Sequence, residues 1–255
     1  MKGQFAVPGR AMVRAPIAPM YADPQVASIQ ISQRLAGHHV ELLEEQDDWF
    51  LSCGVDGYVG WIHRGFLADA VSHAQNGVRV SLGCVTQTAG NGRRALPLGA
   101  RLSADEVIRS GEAIEQRELP SRFPREAFAI TQSADTLFEG TPYLWGGVTP
   151  WGADCSGFVQ TIFGLHSVQL PRDAWQQSET GRDAGALDDL EAADLAFFTD
   201  REDRRVTHVA IAAGDRRLIH VALGRGGFAR EDLSDGKDPY VAKLRERFLK
   251  SKRVL

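Results

Sequence analysis

A single cysteine, Cys155, lies where a loop rich in Trp and Gly gives way to an apolar segment. The apolar residues Phe158, Ile162 and Leu165 follow at helical spacing, which places Cys155 in the first turn of a helix. The positive end of the helix dipole favours the thiolate at that position, and the N–H groups of the turn can bind an oxyanion. The pattern predicts a cysteine nucleophile that requires a base from elsewhere in the chain.

Two histidines downstream can supply this base. His208 begins an apolar run over residues 208–213, and His220 lies in a second run over residues 217–221. Both runs predict β-strands, and together they predict a hairpin.

The turn of this hairpin decides whether one histidine can orient the other. A regular two-residue turn at Gly214-Asp215 would place the two imidazoles on opposite faces of the sheet. We therefore predict a three-residue loop, Gly214-Asp215-Arg216, with the small residues Ala210 and Ala212 on the catalytic face.

Each of these residues also has an ordinary structural explanation. A lone cysteine is often a small buried hydrophobic residue, and a histidine in a strand is often part of the core. The combination of a helix-start thiol with histidines downstream favours catalysis over these alternatives. Cys53 and Cys84 lack such a context.

Composition limits the function further. Of the 255 residues, 43% are hydrophobic and 24% are charged, with a formal net charge of −4, which indicates a globular protein without strong attraction to nucleic acid or anionic membranes. Three prolines interrupt the first twenty residues, so neither a signal peptide nor a membrane span is expected. The three separated cysteines favour a reducing compartment, the cytoplasm, and show no metal-ligand spacing. We expect no metal, cofactor, nucleic-acid partner or membrane association.

Three segments organise the chain: residues 1–70, 71–123 and 124–255. The first has short alternating runs at residues 40–43, 49–51 and 58–62, which predict a small β-barrel. The second begins with alternation at Val78 and has a turn signal at residues 90–92, which predicts a second, divergent barrel. Two prolines in residues 120–124 indicate a connector without regular structure. The third has a predicted helix from Ala127 that closes at Gly140, then strands, and is of the α+β class.

Both ends of the chain resemble known families. Residues 48–53 and 56–62, Asp-Trp-Phe-Leu-Ser-Cys and Asp-Gly-Tyr-Val-Gly-Trp-Ile, resemble a bacterial SH3-like domain. Residues 125–255 resemble the NlpC-type branch of papain-like cysteine peptidases, which implies helices packed on an antiparallel sheet. The matching motifs are Pro142-Tyr143-Leu144-Trp145-Gly146-Gly147, Asp154-Cys155-Ser156-Gly157-Phe158-Val159-Gln160, Leu170-Pro171-Arg172-Asp173, Asp194-Leu195-Ala196-Phe197-Phe198, His208-Val209-Ala210-Ile211 and Ile219-His220. The chain departs from the family at Ala192-Ala193, where Pro-Gly is common.

The resemblance implies catalytic roles and a substrate. Cys155 would be the nucleophile, His208 the general base and then acid, and His220 the residue that orients His208. The combination of SH3-like domains with Pro171-Arg172-Asp173 resembles γ-D-glutamyl-L-diamino-acid endopeptidases that recycle murein peptides with a free N-terminal L-Ala. The implied substrate-binding residues are Tyr58, Tyr143, Trp145, Asp154, Ser156, Arg172 and Asp173.

Within that set, Asp173 would bind the substrate ammonium, and Tyr58 would close the pocket against longer peptides. The structural alternatives are a helix N-cap for Asp173 and Asp154, a barrel core position for Tyr58, and packing for the remaining aromatic residues. Asp154 would oppose thiolate formation unless its carboxylate points at N–H groups or substrate. His38 stands near the position where related enzymes often carry a glutamate, so one contact to the amine is missing.

Two other functions compete with the peptidase. A thiol acyltransferase or amidase of related fold would use the same catalytic residues. A catalytically idle wall-binding module would not need them, and the intact set of Cys155, His208 and His220 argues against it. The segment Gly224-Arg225-Gly226-Gly227 lacks the Lys-Ser/Thr of a phosphate loop and is interpreted as a flexible connection between strands.

Overall fold

The computed structural model describes residues 5–70, 78–88, 90 and 92–255. The chain divides between Leu119 and Pro120 into two compact units, a few residues before the predicted boundary near residue 123. Each unit has its own hydrophobic core. Within the described residues, no helix combines the length and the apolar character that crossing a membrane requires.

A seven-stranded antiparallel sheet forms the first part of the N-terminal unit. Its strands are β1 (Gly9–Val13), β2 (Ile17–Tyr21), β3 (Gln30–Leu35), β4 (His39–Gln46), β5 (Trp49–Cys53), β6 (Val59–His63) and β7 (Leu67–Asp69). They follow the order β3-β2-β6-β5-β4-β1-β7. Alternation in β4 and β5 directs Leu42 and Phe50 into the core with Met20 and Ile62. Strands therefore occupy the three predicted runs.

A separate four-stranded sheet completes this unit. Its strands are β8 (Arg79–Gln87), β9 (Arg93–Leu96), β10 (Arg101–Leu102) and β11 (Val107–Glu115). β8 pairs with all three other strands. The predicted turn at residues 90–92 lies between β8 and β9, with Asn91 outside the described residues. Backbone contacts join the two sheets, because the Arg101 N–H donates to the Ala36 carbonyl at 2.7 Å.

Helices and a six-stranded antiparallel sheet form the C-terminal unit. The helices are α1 (Leu119–Arg122), α2 (Ala127–Leu137), α3 (Cys155–Leu165), α4 (Ala174–Gln177) and α5 (Pro239–Glu246). The strands are β12 (Val148–Thr149), β13 (Gly152–Ala153), β14 (Arg182–Asp183), β15 (Leu195–Phe198), β16 (His208–Gly214), β17 (Arg217–Ala222), β18 (Gly227–Asp232) and β19 (Phe248–Arg253). The sheet order is β14-β19-β15-β16-β17-β18, with α2 and α3 packed on β16 and β17. The predicted α+β class is confirmed.

The prolines of the connector are more compatible with helix than we expected. Pro120 lies in the first turn of α1, and residues 120–122 are helical. A proline in a first helical turn gives up an N–H that has no intrahelical partner there, so it does not interrupt the helix. The expectation of a connector without regular structure is therefore wrong at this position.

The hairpin of β16 and β17 differs from the predicted three-residue loop. Its turn has two residues, Asp215 and Arg216, with φ of 49° and 59°. The pairing runs from Ile211↔Ile219 and Ala212↔Leu218 directly to Gly214↔Arg217, so a β-bulge adds one residue to β16. This single-residue shift has the effect that we assigned to the loop.

The bulge determines which side chains share a face. Because side chains alternate along a strand, the one-residue shift places His208 and His220 on the same side of the hairpin. Ala210 and Ala212 lie on that side too, and both are buried in a core cluster with Leu218. The loop prediction is wrong in its mechanism, whereas the two imidazoles do lie side by side.

Candidate active site

Cys155 is the first residue of α3 and is buried, with 8% of its surface exposed. Asp154 caps the helix, because its Oδ1 accepts a hydrogen bond from the Gly157 N–H at 2.7 Å. The first turn packs tightly against the preceding loop, since a Cβ added to Gly157 would lie 2.1 Å from the Gly147 carbonyl oxygen. Glycine at 157 is thus required for this approach.

A buried cluster of Asp154, Ser156 and Arg172 supports this turn. The Arg172 guanidinium donates to both carboxylate oxygens of Asp154, at 3.0 and 2.7 Å, and to the Ser156 hydroxyl at 2.9 Å. Asp154 also accepts from the Gly146 N–H at 2.8 Å. We expected these three side chains to line the substrate pocket. All three side chains form internal hydrogen bonds that hold the loop before the cysteine, and their contact with substrate stays a prediction.

The electrostatic environment of the Cys155 thiol is opposite to the one that its helix position suggests. Burial, followed by the negative charge of Asp154, raises the pKa of Cys155 to about 12. Hydrogen bonds from the backbone of Val209 and Ser156 and the charge of Arg172 act in the other direction but do not compensate. The expected thiolate at the helix start is therefore disfavoured in the free protein.

His208 and His220 form a direct side-chain pair. Nε2 of His208 lies 2.9 Å from Nδ1 of His220. The His220 residue is fully buried. Burial, with smaller contributions from His220 and Arg247, holds the pKa of His208 well below its ordinary value. The backbone of Val209, the residue after His208, hydrogen-bonds to the Cys155 sulfur, so this strand runs past the thiol.

Glu231 and Arg225 extend the histidine pair and were not predicted. Oε1 of Glu231 lies 3.1 Å from Nε2 of His220. Arg225 binds the same carboxylate at both oxygens, with Nε 2.8 Å from Oε1 and Nη2 2.7 Å from Oε2. Burial raises the pKa of Glu231, but the hydrogen bonds from His220 and Arg225 outweigh it and leave the pKa below its usual value.

The sequence contained a weak signal for this pair. Glu231 lies in the strand that follows the strand of His220 and could have been considered as the partner of that histidine. Arg225 lies just before the strand of Glu231. Residues 223–225 form a short 3-10 turn that ends at Gly226 with φ of 75°. We described this segment as a flexible connection, and the ion pair of Arg225 corrects that description.

The other predicted substrate residues of this unit are less buried. Tyr143 is half-buried, and burial followed by the charges of Cys155 and Asp154 raises its pKa. Trp145 is 57% exposed. Asp173 is at the N-cap position of α4 but makes no side-chain cap hydrogen bond. Its carboxylate is therefore not used for the cap that was its structural alternative.

Tyr58 and His38 belong to the N-terminal unit. Tyr58 is half-buried before β6, where its N–H donates to Asp56 at 3.1 Å and its carbonyl accepts from Arg34 at 3.3 Å. A bidentate ion pair joins Arg34 to Asp56, at 2.6 and 3.0 Å. His38 donates from Nε2 to the Gly99 carbonyl at 3.1 Å, and burial lowers its pKa to about 4. A neutral His38 does not replace a carboxylate as an ammonium partner.

A helix-start cysteine beside a strand that carries two hydrogen-bonded histidines defines a candidate thiol hydrolase site on an α+β fold. Family models agree with this class. Residues 140–245 match the NlpC/P60 family, and residues 20–65 match the bacterial dipeptidyl-peptidase SH3 domain. The C-terminal unit is thus an NlpC/P60 domain, and the N-terminal unit carries a bacterial SH3 domain.

Known proteins add the kind of activity. The chain is 28% identical over 238 residues to a γ-D-glutamyl-L-lysine dipeptidyl-peptidase of Bacillus subtilis, covering 83% of this chain and 80% of that protein. It is 41% identical over 75 residues to the probable endopeptidase NlpC of Escherichia coli, covering 29% and 48%. An NlpC/P60 family protein of Bacillus cereus shares the fold, with a TM-score of 0.80 at 18% identity over 97% of this chain and all of that one. The chain is accordingly a peptidase, which is a hydrolase.

Proposed function

We propose that this chain is a cysteine endopeptidase that hydrolyses the γ-D-glutamyl-L-diamino-acid bond of murein peptides with a free N-terminal L-Ala. The observation that carries the proposal is the pair of His208 and His220, 2.9 Å apart, on the strand that runs past the Cys155 thiol. The name of the Bacillus subtilis relative supports the choice of a γ-D-glutamyl bond. The diamino acid is diaminopimelate or lysine.

The first chemical step follows from the protonation states of the site. Burial keeps both the thiol and the His208 imidazole uncharged, so the thiol proton passes to His208 as sulfur attacks the γ-carbonyl carbon. A C–S bond forms, and the C–N bond then breaks as the imidazolium donates the proton to the departing amine. The product is a thioester to Cys155 and a free diamino acid.

Water completes the reaction. His208 accepts a proton from water as the water oxygen attacks the thioester carbon, and the C–S bond breaks with return of the proton to sulfur. The released acid is L-Ala-γ-D-Glu. His220 acts as the residue that orients His208, in the manner of the third member of a hydrolase triad.

Substrate selection is assigned to residues outside this triad. Asp173 supplies a negative charge for the ammonium of L-Ala. Tyr143, which is half-buried, and the exposed Trp145 provide aromatic surface for the D-glutamyl residue. We also infer a cytoplasmic location, because Cys53, Cys84 and Cys155 are all free thiols, as is usual in a reducing compartment.

A peptide cleavage assay tests the proposal. The full chain is incubated with L-Ala-γ-D-Glu-diaminopimelate and with the same peptide acetylated at its amino group, and products are separated by chromatography. We expect L-Ala-γ-D-Glu as the product from the free peptide. For the acetylated peptide we expect kcat/KM to fall by at least about tenfold, since a hydrogen bond to a charged group is worth about 1.5 to 3 kcal/mol.

Cys155→Ala is the control for the thiol mechanism. It should abolish cleavage while circular dichroism and the unfolding transition stay near those of the wild type. Cleavage by Cys155→Ala would contradict the thiol mechanism. Transfer of the acyl group to an added amine in place of hydrolysis would instead identify an acyltransferase.

A further inference from the structure

The histidine pair continues into a chain of hydrogen bonds that no part of the proposed reaction requires. His208 contacts His220, His220 contacts Glu231, and Glu231 is bound at both oxygens by Arg225. The side chain of Glu231 is 2% exposed, so its charge lies in the interior beside a fully buried imidazole. A buried carboxylate with these contacts has one chemical property that matters for the neighbouring rings: it only accepts hydrogen bonds.

We propose that Glu231, held by Arg225, is a positioning residue that fixes the tautomers of His220 and His208 and thereby directs the basic nitrogen of His208. This inference rests on the proposed role of His208 as the base. The tautomers follow from which ring nitrogen donates and which accepts at each contact.

The contact with Glu231 determines the tautomer of His220. An ionised carboxylate accepts only, so the nitrogen that contacts Glu231, Nε2, must carry the proton. In its neutral form the His220 imidazole has one N–H, and with that proton on Nε2 its Nδ1 carries a lone pair. That lone pair faces Nε2 of His208 at 2.9 Å.

The tautomer of His220 in turn determines that of His208. Its Nε2 must donate to the lone pair of His220, so its own proton is on Nε2 and its lone pair is on Nδ1. Since Nε2 is engaged with His220, Nδ1 is the ring nitrogen that remains to receive the proton of a nucleophile. Reversal of the chain would place protons on Nδ1 of both rings and leave His208 unable to act as a base at that atom.

Arg225 fixes the direction of this series of hydrogen bonds. Its guanidinium contacts both oxygens of Glu231, and its pKa is raised first by the hydrogen bond to Glu231 and then by that to Asp238, so it is a permanent cation. Asp238, the N-cap residue of α5, pairs with the same guanidinium, and the Tyr240 ring lies 4.2 Å from it. The N-terminus of α5 therefore clamps Arg225, which keeps Glu231 ionised.

Glu231→Gln tests the inference because an amide cannot satisfy both neighbours. With its oxygen toward His220, the NH2 group of Gln meets the Nη2 donor of Arg225. With its oxygen toward Nη2 of Arg225, the NH2 group faces both His220 and the Nε donor of Arg225, and both rings must then reverse their tautomers. We expect kcat to fall by about 100-fold or more with KM little changed, by analogy with the wrong-tautomer variant of a serine protease triad.

Nitrogen-15 NMR of the histidine rings supplies a readout that does not depend on the substrate. In the wild-type full chain we expect the ring protons of both His208 and His220 on Nε2. In Glu231→Gln the amide can face either way, so we expect signals with the ring protons on Nδ1 to appear. A wild-type spectrum with the His208 proton on Nδ1 would overturn the inference, even if the variant does not fold.

Asp194→Asn is the matched control. Asp194 is also a buried carboxylate bound by an arginine, since Nε and Nη2 of Arg253 each donate to it at 2.7 Å. Within the described residues its carboxylate binds the Glu191 N–H and Arg253 rather than a histidine, so its loss should lower stability without moving the ring protons or kcat. Equal loss of kcat in both variants, at unchanged tautomers, would assign Glu231 a merely structural role.

Arg225→Lys separates the clamp from the acceptor. Lysine keeps the charge but loses the two-point contact, so we expect a smaller fall in kcat than for Glu231→Gln. If the wild type does not cleave the murein tripeptide, the substrate proposal fails while the NMR tautomers still decide this inference. Cleavage by the wild type with unchanged kcat and tautomers in Glu231→Gln would leave the substrate proposal standing and refute the role of Glu231.

Discussion

The thiol of Cys155 is subject to opposing influences at the scale of a single residue. Its position at the start of α3 favours the thiolate, and two backbone groups hydrogen-bond to the sulfur. Burial and the adjacent Asp154 outweigh them and raise the pKa of Cys155 to about 12. A site that binds an uncharged peptide bond can thus keep a neutral thiol until His208 accepts its proton.

Thiolate absorbance should confirm this state. We expect the ultraviolet difference spectrum of wild type minus Cys155→Ala to show no thiolate step below about pH 8.5, the value of an ordinary cysteine. Cys53 and Cys84 are present in both proteins, so their titration cancels. A step near neutral pH would indicate a preformed thiolate–imidazolium pair and contradict the expectation.

The pH dependence of activity provides a second test at this scale. His208 is a base only when neutral, and its pKa is lowered by burial, so the competent form persists as pH falls below the ordinary value of about 6.5. We expect the acid limb of the kcat/KM profile to lie below that pH. An acid limb at or above it would show that the imidazole is not desolvated in the free protein.

At the scale of elements, the first turn of α3 is defined by contacts with the loop before it. Asp154 caps the helix and binds Arg172 from the segment after it, so three parts of the chain meet at the cysteine. Gly157 makes the closest approach of this turn to the loop, at Gly147. The position of Cys155 therefore depends on the tight packing of the α3 N-terminus.

Two glycines of α3 form a matched pair for testing this packing. Gly157→Ala should destabilise the full chain by more than about 1 kcal/mol, because its Cβ would lie 2.1 Å from a backbone oxygen. Gly164→Ala should instead stabilise by about 0.5 to 1 kcal/mol, since a Cβ there meets nothing within 4 Å. Urea unfolding measures both, and equal effects would refute the close packing at Gly157.

At the scale of the whole molecule, the SH3-type sheet does not stand alone. The four-stranded sheet of residues 79–115 belongs to the same compact unit and is bonded to it through Ala36 and Arg101. Gly37, with φ of 74°, lies at this junction, where an added Cβ would be 2.6 Å from the Arg101 Cβ. The two sheets therefore approach each other so closely at Gly37 that there is no room for a side chain.

Gly37→Ala tests this junction, with Gly57→Ala as its control. Both glycines have φ of 74°, so alanine carries the same backbone strain at either position, but the Gly57 Cβ would meet nothing within 4 Å. We expect a larger fall in the thermal midpoint for Gly37→Ala. Similar midpoints for the two variants would show that the second sheet does not constrain the first.

The sequence by itself determined the elements and the place of Cys155 at the start of a helix. The helix at residues 127–137, the helix start at Cys155 and the strands of the hairpin were all predicted, because periodicity and helix-start signals are local properties. Only the tertiary structure revealed the bulge between Ala212 and Gly214, the burial of Arg172 and the contact of Glu231 with His220. These depend on a one-residue change in strand register and on which charges are removed from water together, and neither is encoded in the spacing of residues along the chain.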